Sequence, residues 1–160
     1  PWHNDKKKRY KNGPMVAPGI YTVLLTIGTQ AYNQQFEVKI DPRVKTHVTE
    51  ADIIRQIRFQ NTIVSLLTEA RKLEKSLEEE AESLKDKKAK AKVTRLEKIN
   101  STLKLLKNED GAYPQEMLIS QISYLFSLIN NADQLPGQDA VKRLEVLTNQ
   151  FETIKKDISI

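Results

Sequence analysis

A chain of 160 residues is long enough for one domain, or for one domain and part of another, and for a modest buried core. With 39% hydrophobic and 29% charged residues it suits exposed helices better than a thick globular core. The formal charge of +5 is small beside the 26 basic and 21 acidic residues behind it and gives no warrant for nucleic-acid binding. No run approaches the roughly 20 apolar residues of a membrane span. The absence of cysteine excludes disulfides and thiolate metal sites without choosing a compartment.

The first stretch, Pro1 to Lys11, is basic and without period, and lacks the apolar core of a signal peptide. Residues 1–12 read as a frayed start, and Trp2 there suggests a piece cut from a longer chain. Gly13-Pro14 and Pro18-Gly19 mark loop and turn. Ile20 to Ile27 and Ala31 to Ile40 are rich in β-branched and aromatic residues and flank Gly28-Thr29-Gln30, which predicts a β-hairpin within residues 13–42. In its second strand Tyr32, Gln34, Phe36, Val38 and Ile40 alternate with Asn33, Gln35, Glu37 and Lys39, giving one face to bury and one to wet. A two-stranded hairpin is marginal in water. It therefore packs on the helices, pairs with strands of another copy, or ends a sandwich whose other strands lie elsewhere.

Asp41-Pro42-Arg43 ends the strand. Residues 43–160 then read as an antiparallel bundle of about four helices, so the fold class is mainly α with a hairpin in front. Thr49 and Asp52 have the spacing of a capping box, with Asp for the usual Glu. The long first helix, to about Asp86, carries Phe59, Ile63, Leu66, Ala70, Leu73, Leu77, Ala81 and Leu84 at steps of three and four. Its face is broad to Ala70, widened by Ile53, Ile54, Ile57, Val64 and Leu67, and then narrows to a coiled-coil-like seam that leaves the second half to project. Near Asp86 the sequence permits a tight turn or an unbroken helix; the turn is favoured, because Ala89, Val93, Leu96, Ile99, Leu103 and Leu106 then fold back to cover the seam. Pro114 suits the first turn of a third helix, apolar over more than half its circumference and the most buried. The fourth has the cleanest stripe: Ala140, Leu144, Leu147, Phe151, Ile154 and Ile158.

Chemistry-bearing residues are sparse. His3 and His47 alone cannot assemble a metal site or a Ser-His-Asp arrangement. The pairs Glu145 with Glu152 and Glu109 with Asp110 could serve as glycosidase carboxylates, but read first as solvated helix charges. Lys85, Lys87, Lys88, Lys90 and Lys92 form a candidate patch for an anionic partner, and without interleaved aromatics a solvated helix turn is the plainer reading. Neither a catalytic constellation nor a cofactor motif is present, so the expectation is a non-enzymatic piece without cofactor or metal.

Two stretches carry a family resemblance. Pro18-Gly19-Ile20-Tyr21-Thr22-Val23, Tyr32, Phe36-Glu37-Val38-Lys39 and Asp41-Pro42-Arg43-Val44 resemble the segment after the propeller in bacterial BNR-repeat, sortilin-like glycosyl-hydrolase-type proteins. Gln121-Ile122-Ser123-Tyr124-Leu125 and Asp133-Gln134-Leu135-Pro136-Gly137-Gln138-Asp139-Ala140 are similar to the closing helical region of the same proteins. The resemblance spans about 13–158. It implies a C-terminal accessory region, the last hairpin of an immunoglobulin-like module followed by a helical bundle, in a secreted or periplasmic protein whose site belongs to the propeller. The leading expectation is a structural or interaction module whose partner is the rest of the parent chain, with homodimerisation through the hairpin or the projecting helix. The alternatives are an accessory part of a carbohydrate site, which would show a groove with exposed aromatics such as Tyr113 or Tyr124, and a coiled-coil adaptor for an anionic partner.

Overall fold

The computed structural model describes residues 15–84, 90–108 and 115–159; the expectations for 1–12 and for a turn near Asp86 lie outside the described residues. Strands β1 (Gly19–Ile27) and β2 (Gln30–Val38) pair antiparallel, with Tyr21 opposite Phe36, Leu25 opposite Tyr32 and Ile27 opposite Gln30. Gln30 thus belongs to β2, and the turn is the two-residue Gly28-Thr29. Gly28 has φ +61°, while no non-glycine residue has positive φ. Positive φ at the first central position alone is the II′ pattern, whose twist matches the flanking strands.

The register gathers one face from Tyr21, Val23, Leu25 and Ile27 on β1 and Tyr32, Phe36 and Val38 on β2. The Tyr21 and Phe36 rings lie 5.9 Å apart across the strands. No helix covers this face: neither strand comes within 8 Å of a helix, Cα to Cα. Leu25 remains 55% exposed and Tyr32 54%. Of the three ways to protect the hairpin that its sequence allows, packing on its own bundle is the one this fold does not use.

A short braced connector joins hairpin to bundle. The Asp41 carboxylate accepts from the Arg43 backbone N–H at 2.9 Å and from Arg43 Nε at 3.0 Å, and the Asp41 carbonyl accepts from Val44 N–H at 3.1 Å. The side-chain bonds from Arg43 hold the Asp41 pKa at about 2. Helix α1 (Glu50–Leu84) then starts on the expected box. Thr49 N–H donates to Asp52 Oδ2 at 3.1 Å, and Asp52 N–H donates to Thr49 Oγ1 at 3.2 Å. The Thr49 hydroxyl also donates to Asp52 Oδ2 at 2.6 Å, and this bond, helped by the one from the Thr49 N–H, lowers the Asp52 pKa.

Four helices follow in the bundle: α1, α2 (Lys90–Leu106), α3 (Leu118–Ile129) and α4 (Gln138–Ser159). The core runs through Ile63, Leu66, Leu67 and Ala70 of α1, Ile99, Leu103 and Leu106 of α2, Leu118, Ile122 and Leu125 of α3, and Leu147, Phe151 and Ile154 of α4. The second half of α1 does not project: Leu77 and Ala81 are buried, because α2 and the end of α4 cover them. Val93, expected on the covering face of α2, is exposed. At about 100° per residue it lies roughly 100° round from the centre of the Leu96–Ile99–Leu103–Leu106 stripe.

Helix α3 begins four residues after Pro114, with Met117 extended at its N-cap. The spacing puts Leu118, Ile122, Leu125, Ile129 and Ala132 on one face; the first four form the buried stripe, while Ala132 lies beyond the helix and is exposed. Tyr124 and Leu128 face outwards, yet α3 keeps the smallest exposed share of the four helices, as its broad apolar circumference requires. Helix α4 buries Leu144, Leu147, Phe151, Ile154 and Ile158 as its period requires.

Polar groups fix how the helices meet. Gln56 of α1 is fully buried; its Nε2 donates to the carbonyls of Ile129 at 2.7 Å and Ala132 at 2.6 Å, and its Oε1 accepts from Gln134 N–H at 3.1 Å. It thereby satisfies carbonyls orphaned at the end of α3 and anchors the α3–α4 connection. Arg95 of α2 grips Glu80 of α1 with Nε at 2.8 Å and Nη2 at 3.1 Å, while its Nη1 donates to the Ile158 carbonyl of α4 at 2.8 Å. Glu78 with Lys107, the residue just past α2, and Glu69 with Lys155 of α4 at 3.8 Å add further pairs to α1.

Candidate functional site

The residues singled out in the sequence scatter. Of the lysine patch, Lys85, Lys87 and Lys88 lie outside the described residues, Lys90 opens α2 and Lys92 is exposed on it. Glu109, Asp110, Tyr113 and His3 also lie outside them. Glu145 and Glu152 are both exposed on α4, two turns or about 10 Å apart along the axis, and Glu152 accepts from Lys155 at 3.1 Å. His47 is exposed in the connector. Among the described residues, no three His, Asp or Glu side chains gather as a metal cluster would need. No helix there is long and apolar enough to cross a membrane.

Two surfaces remain that can hold something. The first is the apolar face of the hairpin. From Met15 to Phe36 the chain carries no Asp, Glu, Lys, Arg or His, and the first charges, Glu37 and Lys39, pair with each other at 3.1 Å. Among the described residues the sheet has two strands, which leaves both strand edges open. An exposed edge ordinarily carries lysine, proline or a bulge that blocks pairing with another chain. The described strands have none of these protections.

The second surface is a groove of about 510 Å³ along the outer side of α3, beside α4. Its floor and apolar end are Leu125, Leu128 and Tyr124, the last 64% exposed. Its polar end holds Glu116, Ser120, Gln121 and Arg143. Arg143 Nη2 donates to Gln121 Oε1 at 2.7 Å, and Gln121 Nε2 donates to the Glu116 carbonyl. The Glu116 carboxylate accepts from Asn108 Nδ2 at 3.3 Å. No ion pair ties Arg143 to a carboxylate among the described residues.

Elsewhere titration follows structural pairs. The side-chain bond from Arg95 lowers the Glu80 pKa, and burial with the nearby Glu78 charge raises that of Glu74. Neither group lines the groove.

The sequence singled out Tyr124 as a groove aromatic, but not Arg143 or Gln121, which α3 and α4 bring together from 22 residues apart. Gln56 was legible as an anomaly: with Gln60 and Ile63 it falls on the buried stripe at steps of four and three. No protein family, no curated protein and no solved structure matches the chain.

Proposed function

We propose that the chain is a non-catalytic structural and interaction module of a larger protein, in which the helical bundle is the body and the hairpin the docking element. The observation that carries this reading is the apolar face of the hairpin, which carries no charge from Met15 to Phe36, is held off the bundle by a braced connector and is left exposed with both strand edges open among the described residues. Such a surface is an association hazard unless another sheet covers it. Size points to the kind of cover. A ribbon of two nine-residue strands measures roughly 30 Å by 10 Å, well below the ~800 Å² per partner of a stable free-standing interface. A sheet already attached to the same polypeptide needs no such area, because its effective concentration is high. This agrees with the resemblance to the region after the propeller of BNR-repeat, sortilin-like proteins, in which the hairpin would close an immunoglobulin-like module outside the cytoplasm.

Light scattering after size exclusion tests the reading. Without its cover the full chain is expected to self-associate weakly as concentration rises, whereas residues 41–160 stay monomeric. Leu25→Lys, on the apolar face, should suppress association, and Asn33→Lys, on the opposite face, should not. A full chain that stays monomeric at high concentration and binds no apolar dye would sink the proposal.

A further inference from the structure

The groove between α3 and α4 is polarised along its length, and we infer that it binds a small amphipathic monocarboxylate, head towards Arg143 and apolar tail along Tyr124 and Leu128. The volume of about 510 Å³ is that of a small-molecule site rather than of a macromolecular interface. At the polar end, one guanidinium donor of Arg143 is used by Gln121, which fixes the side chain against the wall. Its remaining donors form the planar fork that suits a carboxylate. At the start of α3 beside it, Asn108 Oδ1 already accepts from the Met117 N–H at 2.8 Å, so what the helix end adds is the positive sign of its dipole and not an open set of donors.

The other polar groups narrow the ligand. Glu116 lies at that end too and offsets part of the Arg143 charge, which disfavours phosphates and dicarboxylates more than a single carboxylate. Gln121 spends both its amide atoms within the wall, and Glu116 is tethered to Asn108. A sugar needs many free donors and acceptors, and this lining leaves few. Two leucines and an exposed tyrosine ring instead offer an apolar channel for an alkyl or phenyl body.

The test is a titration of the full chain, followed by backbone amide shifts, with 4-phenylbutyrate and octanoate set against their neutral amides and against cellobiose. The acids are expected to shift resonances of Ser120 to Leu128 and around Arg143, and to bind at least about tenfold more tightly than the amides. Arg143→Gln should erase that preference while leaving the amides unchanged. Leu128→Gln should weaken acid and amide alike; Leu128 and Arg143 are both exposed, so each variant should retain its helical circular dichroism. Equal binding of acid and amide, insensitivity to Arg143→Gln, shifts produced by cellobiose alone, or no shifts at millimolar ligand would each overturn the assignment.

Discussion

At the scale of single residues, the most consequential side chain is a buried amide. Gln56 replaces three backbone partnerships that the end of α3 cannot make within itself. Gln56→Leu keeps the volume and removes all three, leaving the buried Ile129 carbonyl and the half-buried Ala132 carbonyl and Gln134 N–H unmet. At 1–3 kcal/mol for an unmet buried group, offset by the apolar replacement, the expected loss is about 2–4 kcal/mol, read as a lower denaturant midpoint at unchanged slope. Gln56→Glu turns an oxygen towards the Ile129 and Ala132 carbonyls and buries a charge. Burial raises that carboxyl's folded pKa above its unfolded value, so the variant is weakest at neutral pH and regains stability as pH falls through the raised value. Gln60, one turn on, makes only a 3.3 Å bond to Asn130 Oδ1, and Gln60→Met should stay within about 1 kcal/mol of the parent.

At the scale of elements, the long helix is a spine divided between partners. Its first half is locked to α3 by Gln56, and its second half is covered by α2 and pinned by Arg95, which touches three helices. The arginine and Glu80 are each more than a third exposed, so screening limits the pair itself. Arg95→Met should cost about 1 kcal/mol, with a drop in melting temperature of a few degrees that shrinks in high salt for the Glu80 share alone. The bond from Arg95 to the Ile158 carbonyl is a second share, and amide exchange at the last turn of α4 should report its loss. What was legible here follows from period. Strict steps of three and four placed the stripes of α1, α3 and α4 almost residue for residue. Val93 and the start of α3 escaped because each required the direction of a stripe, or of an extended Met117, that only the packed neighbours set.

At the scale of the whole molecule, two bodies with different needs share one chain. The bundle buries its apolar stripes internally, while the hairpin buries almost nothing and leaves a charge-free surface open. Alternation along β2 made the amphipathic ribbon readable, and the marginal stability of any lone hairpin made a partner necessary. Which partner was not readable, because the distance between hairpin and helices is a tertiary fact with no local signal. The groove was half readable: Tyr124 stood out as an aromatic, whereas the Arg143–Gln121 contact exists only once α3 and α4 are docked.

The separation of hairpin and bundle is best tested by denaturant unfolding of the full chain beside residues 41–160, followed by the helical signal at 222 nm. A hairpin that braces no helix leaves the midpoint and the slope of that transition unchanged when it is removed. A truncated chain that unfolds at markedly lower denaturant, or that loses its cooperative transition, would mean that the strands support the helices and are not an open docking element.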